Sequence, residues 1–181
     1  MRPDLRSDQL LIDAVNRGDL AAFDVLYHRH RDWVVRLAFR FTRDHHDSLD
    51  VLQETFAWLL GRLSGLKLSA RLTTLLYPVV RNLSINVLRA RGRFVSADEI
   101  LDALPDPGPD PAEPLKADLV SVLAQLSAPH REVLLMRFLD GMTVAEIALV
   151  LQVPSGTVKS RLHNALALLR SDKRTRNYFL E

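Results

Sequence analysis

Apolar residues recur every three or four positions along most of the chain, which predicts α-helices rather than β-strands. One such pattern runs through residues 10–43, and Gly18 divides it into two predicted helices. Two more patterns run through residues 43–63 and 72–93. Because a proline is tolerated in the first turn of a helix, Pro78 predicts that the last of these helices starts near Leu76 rather than Leu72. The expected fold class is all-α.

A proline-rich stretch divides the chain into two small helical domains. Residues 104–114 hold five of the nine prolines, and such a stretch forms neither a helix nor a central strand. Around it, residues 96–118 carry seven acidic side chains against one lysine, a local charge of −6 in a protein whose net charge is +2. We predict a first domain over 1–95, a flexible, acidic, proline-rich linker over 96–118 and a second domain over 119–181.

The second domain is predicted to contain a helix-turn-helix. A helix over about 115–126 and another over 129–139, closed by Gly141, come first. Thr143 and Glu146 then form a capping box that opens a third helix, and Ser155 is placed to cap a fourth. A polar and basic outer face suits a helix that enters the DNA major groove, although spacing alone leaves an ordinary helical hairpin open. The fourth helix has on that face Gly156, Thr157, Lys159, Ser160, Arg161, His163 and Asn164.

The predicted helix around Pro78 lies in a strongly basic part of the chain. From residue 71 to 95 there are five arginines and no acid, a local charge of +5. Asparagine can pair with the edge of a base, and arginine can bind phosphates, so the helix is a candidate for binding nucleic acid. A basic face exposed only to solvent is the alternative. The side chains outside the apolar pattern are Arg81, Asn82, Ser84, Asn86, Arg89, Arg91 and Arg93.

An acidic and polar face is predicted on the helix of residues 43–63, which precedes the basic helix. Asp50, Gln53 and Glu54 have i, i+3, i+4 spacing and therefore share one side of that helix. A face of this kind is usually only solvated, but here it adjoins apolar residues and could dock a basic partner surface. Ser48 and Thr55 lie close by in sequence, and their phosphorylation is a hypothesis for regulation of docking.

Composition excludes several other classes. The chain has no cysteine, which rules out disulfides and cysteine-ligated zinc. His28, His30 and the pair His45-His46 have no metal-site spacing and are expected to be exposed loop residues. No metal, cofactor or catalytic group is predicted. With neither a signal peptide nor a membrane-length apolar run, we expect a cytoplasmic protein without membrane insertion.

Three motifs, in order, resemble those of one family. Residues 130–170, HREVLLMRFLDGMTVAEIALVLQVPSGTVKSRLHNALALLR, are similar almost end to end to the fourth conserved region of extracytoplasmic-function (group IV) sigma factors, members of the sigma-70 family of bacterial RNA polymerase. DVLQETF, residues 50–56, resembles the family's signature on its polymerase-binding helix. Arg81-Asn82 stands where the family's pattern has Arg-Asn. The resemblance covers residues 22–170, and small members of the family have only regions 2 and 4.

The resemblance implies a transcription initiation factor, not an enzyme, that binds core RNA polymerase and directs it to promoters. Region 2 would dock on the clamp coiled coil of the largest subunit, with a further polymerase contact in the flap region and an anti-sigma factor as another partner. The implied docking residues are Asp50, Gln53, Glu54 and Phe56. The minus-ten element would be recognised by Arg81, Asn82, Asn86, Arg89, Arg91 and Arg93, with residues 64–71 helping to hold unstacked bases. The minus-thirty-five element would be read by Ser155, Gly156, Thr157, Lys159, Ser160, Arg161 and His163.

The chain departs from the family pattern at three aromatic positions. Leu60 and Leu75 stand where the family usually has Trp, and Leu72 stands where it usually has Phe. Only Tyr77 and Phe94 remain as aromatic residues nearby. We therefore predict an unusual minus-ten sequence or weak promoter melting.

Two other functions remain compatible with the residues. A helix-turn-helix regulator that works without polymerase would leave the face of Asp50, Gln53 and Glu54 and the linker unexplained. A sigma-like mimic that sequesters an anti-sigma factor would have no need of Asn82 or of the polar helix at 155–163. No Ser-His-Asp pattern, phosphate loop or carboxylate pair favours an enzyme.

Overall fold

The predicted apolar patterns fold into helices throughout the part of the chain that the structure describes, residues 4–92, 122–173 and 175 of a computed structural model. No strand occurs within these ranges, so the all-α prediction is confirmed there. The chain divides into two compact units, with the boundary next to Arg93. The first unit contains α1 (Asp8–Asn16), α2 (Leu20–Thr42), α3 (His45–Leu60) and α4 (Leu72–Ala90). The second contains α5 (Ala128–Phe138), α6 (Val144–Leu151) and α7 (Ser155–Ser171).

Helix α2 is the centre of the first unit, because α1, α3 and α4 all pack against it. The predicted break at Gly18 is confirmed, since α1 ends before it and the residue has φ +95°, which glycine adopts without strain. Asp19 then caps α2 by accepting a hydrogen bond from the Ala22 N–H. The core is formed by apolar residues of all four helices, including Leu11, Ile12, Leu26, Val34, Leu37, Leu59, Leu76 and Val80.

The predicted start of α4 is wrong. The helix begins at Leu72, and Pro78 lies in its interior. Proline removes one backbone hydrogen bond there, but Leu72 and Leu76 on either side of the first turn are both fully buried. Burying apolar surface stabilises a fold by about 25 cal/mol per Å². The buried side chains of the first turn therefore keep it helical despite the lost hydrogen bond.

The buried face of α4 also differs from the predicted one. Ser84 was expected on the outer face but is fully buried, as is the aromatic ring of Tyr77. Leu75, Val79, Leu83 and Val87, which belong to the apolar pattern of this helix and would be expected to be buried, are only half-buried. The helix packs against both α2 and α3, and two neighbours bury a wider face than the apolar residues alone predict.

The second unit contains the predicted helix-turn-helix in α6 and α7. The capping box is confirmed: the Glu146 N–H donates to Thr143 Oγ1 at 3.2 Å, and the Thr143 N–H donates to Glu146 Oε2 at 2.8 Å. Ser155, however, is the first residue of α7 and not its cap, which is Pro154. The extended backbone of Pro154, with φ −58° and ψ 145°, ends the turn before the helix begins.

A buried arginine organises the start of the second unit. Arg131 on α5 is 2% exposed, and its guanidinium donates to the carbonyl oxygens of Leu123, Ala124 and Leu126 at 2.6–3.1 Å. These bonds fix the backbone just before α5 to the helix itself. The linker, most of the predicted 115–126 helix, Arg93 and Phe94 lie outside the described residues.

The histidines are not loop residues. His28 and His30 lie on α2, and His45 and His46 begin α3. His30 is buried, and its Nε2 lies 3.0 Å from Asp8 Oδ2. Burial beside a carboxylate gives it a structural role in joining α1 to α2. Across the described ranges, no helix is both long and apolar enough to cross a membrane.

Candidate functional site

The acidic face predicted on α3 is exposed to solvent. Asp50, Gln53 and Glu54 are all exposed, while Val51 and Leu52 between them are buried against the unit's core. The Asp50 carboxylate is 54% exposed and lies 3.4 Å from His46 Nδ1, one helical turn earlier. An exposed pair of this kind contributes little to stability. The face is therefore available to a partner.

Phe56 does not belong to that face. It is 4% exposed and packs edge-on against Tyr27 and Phe23, with ring centroids 4.8 Å and 6.1 Å away. Its predicted place in the docking surface is corrected to a packing role that holds α3 on α2. Aromatic pairs in this geometry stabilise a fold beyond the area that they bury.

The hypothesis of phosphorylation at Ser48 or Thr55 does not fit the structure. Both residues are fully buried. Ser48 Oγ donates to the Asp44 carbonyl at 2.6 Å, and Thr55 Oγ1 donates to the Val51 carbonyl at 2.7 Å. A modifying enzyme would have to unfold α3 to reach either hydroxyl.

Helix α4 presents amides and cations on one side. Asn82, Asn86 and Arg89 are exposed, and Arg81 is half-buried. The amides can both donate to and accept from a base edge, and Arg89 carries a charge suited to phosphate.

Arg91 has a partner that the sequence pattern did not reveal. Its guanidinium forms an ion pair with the buried carboxylate of Asp47 on α3, and lies 3.7 Å from Asp44 Oδ2. The hydrogen bond from the Asp47 N–H and the nearby Arg91 charge hold the pKa of Asp44 below its usual value. This ion pair joins the end of α4 to the start of α3, and the phosphate role of Arg91 stays a prediction.

Residues 61–71, which we call the 61–71 loop, connect α3 to α4 and are held by α1. The Leu68 N–H donates to Gln9 Oε1 at 2.7 Å, and Gln9 Nε2 donates to the Leu66 carbonyl at 3.2 Å. Asn16 Nδ2 donates to the Leu63 carbonyl at 2.8 Å. Gln9 and Asn16 were not predicted as site residues. Their spacing with Asp13 (i, i+4, i+7) places all three on one side of α1, but this pattern does not identify what the side contacts.

An electrostatic contact adds to this junction. Lys67 Nζ lies 3.3 Å from Asp13 Oδ1, and Gln9 Nε2 donates to the same oxygen at 2.9 Å. The Gln9 hydrogen bond and the Lys67 charge hold the pKa of Asp13 below its usual value.

The three positions that depart from the family pattern have different surroundings. Leu72 is fully buried, Leu75 is half-buried and Leu60 is 52% exposed. Leu72 thus fills the core, whereas Leu60 and Leu75 leave parts of the surface without the expected rings. Tyr77 is buried too, so its ring is not available to stack on a base.

Helix α7 has the outer face that was predicted for it. Gly156, Lys159, Ser160, His163 and Asn164 are exposed, while Val158, Leu162, Ala165 and Leu169 are buried. A Cβ at Gly156 would meet no atom within 4 Å, which leaves space for a close approach to the first turn. Ser160 Oγ donates to the Thr157 carbonyl at 3.0 Å, so its hydroxyl proton is used within the helix. Thr157 and Arg161 are half-buried.

The second unit also contains an apolar groove of about 310 Å³. Phe138 and Leu139, at the end of α5, are 64% and 65% exposed at this place. Such large exposed apolar side chains are typical of a protein–protein contact. The groove is lined by Leu123, Leu134, Leu135, Phe138, Leu139, Leu166 and Leu169.

These faces define the class of protein: a helix-turn-helix protein with a second, helical unit that carries a basic face and an acidic face. Two family models match the chain, Sigma-70 region 2 over residues 26–94 and Sigma-70, region 4 over residues 116–169. The RNA polymerase sigma-H factor of Pseudomonas aeruginosa is 31% identical over 172 residues, 87% of this chain and 89% of that protein. The ECF RNA polymerase sigma factor SigL of Mycobacterium tuberculosis is 34% identical over 160 residues, 84% of this chain and 89% of that protein.

The chain belongs to the ECF sigma factors of RNA polymerase. It is a transcription initiation factor that binds core RNA polymerase and promoter DNA, and its relatives are initiation factors rather than known enzymes.

Two solved structures share the fold. CnrH, in complex with the cytosolic domain of CnrY, has a TM-score of 0.64 and 24% identity over 90% of this chain and 94% of that one. The sigma factor RpoE of Bartonella quintana, in complex with the anti-sigma factor NepR, has a TM-score of 0.59 and 21% identity over 83% of this chain and 98% of that one.

Proposed function

We propose that this sigma factor uses the exposed face of α3 to dock on core polymerase and the faces of α4 and α7 to read the two promoter elements. The observation that carries the proposal is the exposure of Asp50, Gln53 and Glu54 beside a buried apolar core. Carboxylates on a rigid helix are placed to meet basic residues of a partner. The same charge repels DNA, which keeps this face for protein.

For the minus-ten element we assign base recognition to Asn82 and Asn86 and phosphate binding to Arg89, with Arg81 beside them. The 61–71 loop receives an unstacked base of the same element. Extruding a base costs a few kcal/mol of stacking, and a prepared pocket recovers that cost. The few aromatic surfaces near α4 support our prediction of an unusual minus-ten sequence or weak melting.

For the minus-thirty-five element we assign residues 155–163, the N-terminal half of α7. Lys159 and Arg161 supply charge to phosphates, while Thr157, Ser160 and His163 offer polar groups to base edges. Ser155 and Gly156, at the start of the helix, allow backbone N–H groups to approach a phosphate.

The apolar groove of the second unit is our candidate for the polymerase flap contact. We also propose an anti-sigma factor as a partner, on the support of the RpoE–NepR complex of the same fold. The protein would then work in the cytoplasm, where promoter DNA and polymerase are.

The decisive experiment measures core binding and promoter-directed transcription with charge-reversal variants. Asp50→Arg and Glu54→Lys should each weaken core polymerase binding at least tenfold, because one acidic contact becomes a repulsive one. Run-off transcription should fall in parallel and recover at high sigma concentration. Asp32→Arg, which reverses an exposed acid on α2, is the matched control and should bind normally.

Three results would contradict the proposal. Wild-type affinity in both α3 variants would remove α3 as the docking face. Core binding without transcription from any sequence in a randomised promoter library would favour the sigma-like mimic. Promoter binding and regulation in the absence of core would favour an independent helix-turn-helix regulator.

A further inference from the structure

We infer that α1 is a positioning element for minus-ten recognition, because its polar side chains hold the 61–71 loop in the shape that receives a base. The inference rests on the proposed function of that loop. Helix α1 lies before residues 26–94, the part of the chain that the region 2 model matches.

The 61–71 loop has few regular backbone contacts of its own. Its local hydrogen bonds include the Arg62 N–H to the Leu59 carbonyl at 2.9 Å and the Leu66 N–H to the Leu63 carbonyl at 3.0 Å. Gly65, at the tip, has φ +72°, and a Cβ at this position would meet no atom within 4 Å. A segment with so few internal bonds needs external ones to keep a single conformation.

Side chains of α1 supply those external bonds. The Gln9 amide binds the backbone on both sides of Lys67, accepting from the Leu68 N–H and donating to the Leu66 carbonyl. Asn16 holds the carbonyl of Leu63 at the start of the loop. Three backbone groups spread over six residues are therefore fixed by one helix that precedes them by 47 to 59 positions.

The helix is itself firmly anchored. Leu11 and Ile12 are fully buried. Asp8 Oδ1 accepts a hydrogen bond from Arg29 Nη1 at 2.7 Å, and its other oxygen lies 3.0 Å from His30 Nε2. Because α1 is fixed to α2 in this way, it holds the loop in one position.

The bonds leave the outer side of the loop accessible. Ser64, Gly65, Lys67 and Ser69 are exposed, whereas Leu63 is buried beneath them. A preformed loop binds an unstacked base without first losing conformational freedom. Gln9 and Asn16 thus act through the loop as positioning residues, without touching DNA.

The test uses full-length protein with core polymerase and a promoter library randomised across the minus-ten and minus-thirty-five regions. Gln9→Leu keeps the approximate size of the side chain but removes both of its hydrogen bonds to the loop, together with the one to Asp13. Asn16→Ala removes a single hydrogen bond to the loop and is a milder second variant. Each template carries a barcode in its transcribed region, so sequencing of the run-off transcripts gives the base enrichment at each promoter position. Hydrogen exchange of residues 61–71 reports the order of the loop.

At one or more minus-ten positions, the base enrichment should fall about tenfold in Gln9→Leu, the size expected for losing two hydrogen bonds, and by a smaller factor in Asn16→Ala. Enrichment in the minus-thirty-five region, core affinity and exchange in α2 should stay at wild-type values, while the loop exchanges faster. Leu10→Ala, at an exposed neighbour on the same helix, should behave as wild type.

An unchanged minus-ten profile in both variants would overturn the inference and leave the proposed function intact. A uniform loss of core affinity and of enrichment in both regions would also overturn it, since that result indicates general unfolding. If the wild-type protein itself enriches no base at the minus-ten element, the proposed function fails, and the inference fails with it.

Discussion

Two arginines near the end of α4, Arg89 and Arg91, are two residues apart in sequence but have different surroundings. Arg89 is exposed, whereas Arg91 pairs with the buried carboxylate of Asp47. Their sequence context is almost the same, since both follow the apolar residues of the helix at its basic end. Only the approach of α3 distinguishes a candidate phosphate ligand from a structural ion pair.

Alanine substitutions should separate these two roles. Arg91→Ala leaves a buried Asp47 carboxylate without its partner and should lower the free energy of unfolding by about 1 to 3 kcal/mol. Arg89→Ala should leave stability unchanged and weaken promoter binding, with the slope of log K against log salt reduced by about 1. Urea denaturation followed by tryptophan fluorescence would measure stability, and promoter titrations of the polymerase holoenzyme over a range of salt would measure DNA binding. Equal loss of stability in the two variants would contradict the assignment.

At the scale of elements, the caps and breaks that end a helix depend on residues close together in sequence, whereas contacts between helices depend on residues far apart. The capping box of α6 and the break at Gly18 follow from residues a few positions apart, and both were predicted. The predicted start of α4 is wrong, because burial of Leu72 and Leu76 outweighs the helix-breaking effect of Pro78. The contact of α1 with α2 was not predicted at all.

That contact should depend on pH. Burial of Asp8 raises the pKa of its carboxyl, but the hydrogen bonds from His30 and Arg29 outweigh burial and hold the pKa below 3.8. A carboxyl whose pKa is lowered by folding contributes stability fully above its unfolded pKa and loses it as pH falls through the folded value. Asp8→Asn should therefore cost about 1 kcal/mol near neutral pH, and the difference from wild type should shrink below about pH 4.

Denaturant titrations of both proteins at a series of pH values would check this result. A difference that stays constant down to the lowest pH at which the wild type folds would show that the carboxylate charge contributes nothing. A matched control is Asp24→Asn, an exposed acid on α2, which should cost little at any pH.

At the scale of the whole molecule, each unit has its own buried core. The first is centred on α2, and the second on the packing of α5 and α6 against α7. Both tryptophans, Trp33 and Trp58, belong to the first unit. Fluorescence therefore reports the unfolding of that unit alone, while circular dichroism reports the helices of both.

This difference allows a test of whether the two units unfold independently. Thr143→Ala removes the capping box of α6 and should destabilise the second unit by about 1 kcal/mol. Part of the circular dichroism transition should move to lower urea, with the fluorescence transition unchanged. An equal shift of both signals would mean that the units unfold together.

The sequence by itself determined the helical class, the helix-turn-helix with its capping box, the exposed face of Asp50, Gln53 and Glu54, and the family. These features depend on periodicity and on groups within one or two helical turns, which are properties of the order of residues. The tertiary structure alone decided that Phe56 and Ser84 are buried, that Arg91 belongs to Asp47, and that Gln9 holds a loop 57 and 59 positions away. Such contacts depend on which helices pack together, and in a single sequence no local pattern specifies that choice.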